Sequence, residues 1–387
     1  MRVAIVSRIY RPEPSAASLF LGSVSDALRA DGHSVMVLTA KPPRRSDSIE
    51  ASEDVRTFPV LRDRDGYVRG YLPYLSFDVP LSVRLLFATR PDVVLAEPPP
   101  TTGAVVRVVC ALRRIPYVYD AADIWSDAAD MATNSRAVIR VLRWVERFAL
   151  RGAETVVTIS EGVVRRVRDL GAQTRVVVTG FGADTAEFKV VDNEPDKLFL
   201  YAGSYSAWHG ADIMIDAFAA FSRTHPGYRL RVIGNGTEKS MLEKRAQALG
   251  VSDAIDFLDP IAPAELNLHF ASAVASIATL KPGTAYEFAF ATKTYSSLAA
   301  GCPVIFAGPG PTGPFLSGIP DDLGAGTACD YNAEEIAQAM RRLADAGFEP
   351  ERRRALGAWI DGNHTMRAVA KRVALVLADV GSGRRRH

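Results

Sequence analysis

Short, near-continuous apolar runs alternate with longer stretches of helical period along the 387 residues of this chain. In the first half the runs are Val3–Val6, Ser34–Leu38, Asp92–Leu95, Pro116–Tyr119, Thr155–Ile159 and Arg175–Val178. They are rich in β-branched residues and show little alternation, as expected for strands covered on both faces. Between the first two runs, Leu21, Val24 and Leu28 recur at helical spacing, and Gly32 supplies an end cap. This is the pattern of parallel strands joined by helices, an α/β fold. The pattern then restarts. Val191–Lys197 is polar and reads as a linker, after which Leu198–Tyr201, Arg229–Ile233, Ala254–Phe257, Val274–Ile277 and Pro303–Phe306 form a second set of strands. Met214, Ala217, Phe218 and Phe221 share one face of an intervening helix. Two Rossmann-like, doubly wound domains are therefore expected. Ligands of such sheets bind beyond the carboxyl ends of the strands, so two facing domains would share a central cleft.

Composition bounds the function. The length suits two domains of roughly 150–200 residues each, and a charged fraction of 23% is ordinary. A net charge of +2 gives no reason to invoke nucleic acid. Cys110, Cys302 and Cys329 are far apart and lack metal-ligand spacing, so reduced thiols in a cytoplasmic protein are expected. The chain enters its first strand at once, so no signal peptide is expected. The greasy region Tyr71–Leu95 is interrupted by Asp78, Pro80, Arg84, Arg90, Pro91 and Asp92, whereas a membrane span needs ~20 apolar residues. No metal or other cofactor is expected. Asp63 and Asp65 have the spacing of a metal-binding pair, but they follow Val55–Val60 in a polar loop and not a strand end.

A dinucleotide dehydrogenase is ruled out at the first turn. That fold needs G-x-G-x-x-G for close backbone approach to a pyrophosphate, and Ser7–Ser18 contains no glycine. Gly234 and Gly236 follow a strand, but Lys239 stands where the third glycine belongs. A different set of segments is more specific: Ile9–Pro14, Asp31–Val35, Val157–Glu161, Gly182–Thr185 with Phe188, Leu200–Gly203, Val232–Glu238 and Ala299–Ile305. In this order, over about 300 residues of the chain, they resemble the family-four retaining glycosyltransferases of the GT-B fold. Tyr119–Trp125 and Thr292–Tyr295 are most similar to the branch that builds bacterial surface polysaccharides, including N-acetylfucosaminyl-type transferases.

The resemblance implies an acceptor-side domain over 1–188 and a nucleotide-sugar domain over 189–365. The segment 366–387 would then be a helix returning toward the first domain, followed by a basic tail. It implies a metal-independent, retaining transfer from a nucleoside-diphosphate sugar to an acceptor hydroxyl on a glycan, a lipid-linked sugar or a small molecule. A sugar-nucleotide epimerase of the same fold and a catalytically silent sugar-binding protein are the alternatives. Without a metal, cations and helix N-termini must hold the departing diphosphate. Lys293, just ahead of a helix expected over Tyr295–Ala300, is the first candidate, and a solvated lysine is the plainer alternative. The family's arginine and lysine positions after the first strand of the second domain hold Ser204 and His209, beside Gly203 and Gly210. His209 is either a part-time cation on the phosphate or a loop histidine packed near Trp208. The family's paired glutamates fall on Phe288 and Ser296, with Glu287 adjacent. Gly234, Lys281 and Thr294 complete the donor set. On the acceptor side Asp120 and Asp123 follow the fourth strand. Asp123 is expected to orient substrate, helix capping being the alternative. Ser15, Ala16 and Ala17 replace a usual diglycine turn.

Spacing alone gives one more feature. Arg136, Arg140, Arg143, Arg147 and Arg151 form a stripe on one helix, with Val138, Leu142, Val145 and Ala149 on the other side. Such a helix either makes peripheral contact with anionic membrane, at the inner face for a cytoplasmic protein, or is simply solvated.

Overall fold

A computed structural model describes residues 1–13, 15–42, 54–62, 68, 71–127, 135–284 and 286–383. The chain divides into two compact units: Met1–Gly180 with Met366–His387, and Phe181–Thr365. The boundary lies eight residues before the expected one. Its physical reason is that Ala183 N–H donates to His364 O at 2.8 Å and Phe188 packs edge-on against Phe270, which binds this segment to the second unit. Pro14, the Asp63–Asp65 pair and residues 384–387 lie outside the described residues.

The first unit holds a parallel seven-stranded sheet of β1 (Arg2–Val6), β2 (Ser34–Ala40), β3 (Asp54–Phe58), β4 (Val93–Ala96), β5 (Tyr117–Ala121), β6 (Thr155–Thr158) and β7 (Arg175–Val178), in the order β3-β2-β1-β4-β5-β6-β7. Strand order reverses between β1 and β4, where Val6 lies opposite Ala96. Ser7 and Glu97 therefore leave the sheet side by side at the switch point, where ligands of such sheets bind. The helix Met366–Gly381 packs on the helix Ala16–Ala30 of this unit. Arg372 donates to Thr179 O at 2.6 Å, and Arg175 reaches Asp379 at 2.8 Å.

The second unit holds six parallel strands, β8 (Leu198–Ala202), β9 (Arg229–Ile233), β10 (Ile255–Leu258), β11 (Ala275–Thr279), β12 (Val304–Ala307) and β13 (Gly326–Cys329), in the order β10-β9-β8-β11-β12-β13. Its reversal lies between β8 and β11. Phe199, Met214, Phe218, Phe221 and Val232 are fully buried on one face of this sheet, which is why the helix Asp212–Ser222 follows the predicted apolar spacing.

The helix Tyr71–Phe87 lies where the sequence showed only a broken greasy region. Pro80 sits inside it, and Asp78, read as an interruption, is buried and accepts from Thr102 Oγ1 at 2.6 Å. Among the described residues no helix is long and apolar enough to cross a membrane.

Candidate active site

In the second unit the chemistry gathers at the carboxyl ends of β8 and β9. The helix there begins at Lys293, two residues earlier than expected, so the lysine belongs to its first turn and does not precede it. Its side chain runs back onto β8, and Nζ stands 3.7 Å above the Tyr201 ring. That nitrogen is enclosed and has no hydrogen-bond partner among the described residues. Gly203 follows β8 at φ 135°, and a Cβ there would stand 3.1 Å from both Cε and Nζ of Lys293. Gly234, at the end of β9 with φ 145°, comes so close that a Cβ would lie 2.0 Å from Gly203 O. Only glycine gives this backbone conformation and this approach at low cost. Burial without a counter-charge lowers the Lys293 pKa to about 7.

His209 is buried, and its Nδ1 accepts the Ser206 N–H at 3.3 Å. The proton of its neutral ring therefore sits on Nε2. The ring stacks on Trp208 at 3.6 Å, and Trp208 in turn stacks on Tyr286 at 4.5 Å. Burial, and then the Lys293 charge, hold its pKa down to about 2. The part-time cation is thus corrected: His209 is a packed, neutral hydrogen-bonding group. Thr294 is buried, and its hydroxyl has no partner among the described residues. Lys281 is exposed and tied in through its backbone N–H, which donates to Trp208 O at 2.9 Å. Gly210, at φ 60°, accepts from the Tyr331 hydroxyl at 2.7 Å. Ser204 is exposed, and its carbonyl accepts from the Tyr201 hydroxyl at 2.9 Å. Glu287 is exposed and braces a turn by accepting Gly283 N–H at 2.5 Å. Ser296 is half-buried one turn into the helix. The structure thus brings Lys293, Gly203, Gly234 and His209 together, with Thr294 next to the lysine, and leaves Lys281, Ser204 and Glu287 at the solvent edge.

In the first unit the switch point carries acids. Glu97 follows β4 and Asp120 is the last residue but one of β5, both buried, while Asp123 is half-buried in the loop beyond. Burial raises Asp123 to about 6. Burial also raises Glu97 to about 7, with Arg8 opposing and Asp123 adding to the shift. Asp120 is pushed well above the usual carboxylate range by burial and then by the other two acids. The Ser7 hydroxyl stands 2.6 Å from Ile9 O and 2.9 Å from Glu97 Oε2. It has one proton and cannot donate to both, so a protonated Glu97 satisfies the arrangement. Arg8 lies over the Tyr74 and Trp125 rings, at 4.7 and 4.8 Å, and donates to Val68 O at 2.6 Å. The Tyr119 hydroxyl is buried beside these acids with no partner among the described residues. The Asp123 loop is held from outside the sheet. Glu146, buried on the helix Arg136–Gly152, accepts the N–H groups of Trp125 and Ser126 at 2.8 and 2.9 Å. Ser15 spends its side-chain oxygen on the N-cap of the helix Ala16–Ala30, accepting Ser18 N–H at 3.0 Å, and Ala16 and Ala17 open that helix.

Glu97, Ser7, Arg8, Tyr201 and the Trp208–Tyr286 stack were absent from the sequence reading. Glu97 was within reach, because it follows the apolar run Asp92–Leu95 much as Asp120 follows Pro116–Tyr119.

Residues 17–182 match the family described as "Glycosyl transferase 4-like domain", and residues 183–358 match "Glycosyl transferases group 1". The chain belongs to the group 1 glycosyltransferases. As a GT-B transferase it moves sugar from a nucleotide sugar. It is 28% identical over 227 residues to the D-inositol 3-phosphate glycosyltransferase of Acidothermus cellulolyticus, a match spanning 53% of this chain and 49% of that protein, about half of each. It is 25% identical over 379 residues to a glycogen synthase of Mycobacterium tuberculosis, covering 91% of this chain and 88% of that one. The solved structure of Anabaena HepE, in complex with UDP and glucose, superposes with a TM-score of 0.73 at 17% identity, covering 98% and 99% of the two chains. Within this glycosyltransferase, the two family segments meet between residues 182 and 183, within a few residues of the boundary between the two units.

Proposed function

We propose that this glycosyltransferase is retaining and metal-independent, passing a sugar from a nucleoside diphosphate to an acceptor hydroxyl in bacterial polysaccharide or glycoconjugate synthesis. The observation that carries the reading is the Lys293 ammonium, enclosed at the end of β8 with no acid or hydrogen-bond partner among the described residues. A buried charge without a partner is costly, and a diphosphate arriving over Gly203 completes it. The Lys293 charge then grows in value as the leaving group gains charge. The neutral His209 Nε2–H and the Thr294 hydroxyl are additional donors at the same strand end. The similarly folded HepE, solved in complex with UDP and glucose, supports a nucleotide-sugar donor. On the acceptor side, Asp123 orients the accepting hydroxyl beside the protonated Glu97. Tyr119–Trp125 and Thr292–Tyr295 favour the surface-polysaccharide branch. We read the arginine helix as a contact with anionic lipid at the cytoplasmic face of a membrane, where a glycan or lipid-linked acceptor is available.

A thermal-shift screen of nucleosides, nucleoside diphosphates and nucleotide sugars tests the donor site. A true ligand at one hundred times its dissociation constant stabilises by about 2.7 kcal/mol, and nucleosides stabilising as much as their diphosphates would remove the phosphate site. Transfer with the donor so found should survive a chelator and keep the donor's anomeric configuration in the product. Donor incubated alone should remain unchanged; conversion to another sugar nucleotide would favour an epimerase.

A further inference from the structure

The helix Tyr71–Phe87 has an apolar face toward the protein and a second one toward solvent. Phe77, Leu81 and Leu85 are fully buried, while Leu72, Leu75, Val79, Val83 and Leu86 are exposed. The exposed residues follow spacings of three and four, one row about 21 Å long at 1.5 Å per residue. Solvent-facing helix surfaces normally carry polar residues, and a contiguous apolar patch of this kind marks an interaction surface.

Two neighbouring helices also carry exposed apolar residues. Arg113 of the helix Pro100–Arg113 donates to Leu85 O and Ala88 O at 2.7 and 2.9 Å, tying the first pair together. Arg107 of the same helix donates to Phe148 O and lies 4.0 Å over the Phe148 ring, tying it to the helix Arg136–Gly152. Val108 and Leu112 are exposed on the middle helix, and Val141 and Trp144 (65% exposed) on the third. The three helices carry one, two and five arginines. Their two acids, Asp78 and Glu146, are both buried, so these three helices present no exposed carboxylate.

We propose that this three-helix face docks on an anionic lipid surface. The Leu72–Leu86 row enters the acyl boundary and the arginines of Arg136–Gly152 meet the phosphates. The proposal rests on the lipid contact read above and adds that the contact is insertion, made chiefly by a helix outside the arginine stripe. Charge decides the occupant. A second copy of the chain would set arginines against arginines, whereas an anionic bilayer offers an apolar interior beneath negative headgroups, matching both halves of the face.

The test uses the purified chain with vesicles of phosphatidylcholine alone or mixed with phosphatidylglycerol, and brominated lipids to quench tryptophan. The wild type should bind only the anionic vesicles, with Trp144 quenched, as a Trp144→Phe control assigns. Arg140→Gln, Arg143→Gln and Arg147→Gln together should weaken binding about a hundredfold. Leu75→Gln, Val79→Gln and Val83→Gln together should weaken it at least about tenfold and abolish quenching. All three positions are exposed; if the triple variant does not fold, Val79→Glu alone replaces it. If the apolar variant binds like the wild type and neither is quenched, insertion is overturned while the electrostatic contact stands. If the wild type binds neither vesicle, both readings fall. If the wild type sediments as a dimer that the apolar variant dissolves, without vesicle binding, the face belongs to a second copy and the proposal is overturned.

Discussion

At the carboxyl edge of the first sheet, Glu97, Asp120 and Asp123 crowd three acids near the Arg8 guanidinium. At the same edge of the second sheet, Lys293 holds one ammonium that no described acid accompanies. The backbone plan is common: parallel strands, a reversal of strand order, and loops beyond the reversal. The electrostatics are opposite. Crowded acids in a buried setting retain protons and present groups suited to neutral hydroxyls. A lone buried cation waits for an anion. One architecture thus presents two opposite electrostatic edges because residues at the strand ends can change without disturbing the strands.

The contrast is broken most severely by Lys293→Met. This variant keeps length and apolar bulk, should fold normally, and should lose turnover by about 10²–10³. It should also bind nucleoside diphosphates no better than nucleosides. Near-normal turnover would mean that the diphosphate is held elsewhere, around Lys281. On the acid side Asp123→Asn preserves shape but not charge and should cost about 10–10² in turnover through misplacement of the acceptor. Donor binding, measured by calorimetry, should be unchanged; a matching loss there would make Asp123 a structural residue.

Two smaller effects sharpen the comparison through pH. Folding lowers the Lys293 pKa from 10.5 to about 7, so its protonation opposes the empty fold. The stability tied to it is full above about pH 10.5 and is lost as pH falls through about 7. A bound diphosphate reverses that preference. Binding at pH 8 should therefore take up most of one proton and at pH 6 far less, read from calorimetry in buffers of different ionisation heat. The same uptake by Lys293→Met would assign the proton to another group. Glu97 behaves oppositely. Folding raises its pKa from 4.5 to about 7, so its contribution is full below about pH 4.5 and lost as pH rises through about 7. Glu97→Gln, which mimics the protonated acid, should gain thermal stability over the wild type on going from pH 5 to pH 8, with little change in turnover. A pH-independent difference would count against a protonated Glu97.

The central strands were legible because burial on both faces writes them as unbroken apolar runs. The edge strand β3 was seen only in outline as Val55–Val60, and β13 was missed. Both alternate exposed and covered positions, and β13 is short and opens on a glycine. The helix Tyr71–Phe87 escaped because Asp78 and Pro80 look like breakers to a local reading, while the bond from Thr102 that accommodates Asp78 comes from a different helix. Charged residues at strand ends were readable one at a time. Their grouping was not, since Ser7 and Glu97 are ninety residues apart and meet only through the register of β1 and β4. Nor could spacing show that Lys293 turns back over Tyr201 or that burial and the Lys293 charge keep His209 neutral.

Glu146 links two regions that are otherwise distinct. The loop bearing Asp123 takes its position from two N–H groups held by that carboxylate, and the carboxylate rides on the helix with the five arginines. The loop is therefore hung from the outer layer of the unit as well as from its sheet. A tilt of that helix would displace the two N–H groups that hold the loop, and with them Asp123, the residue proposed to orient the acceptor, without any change in the strands.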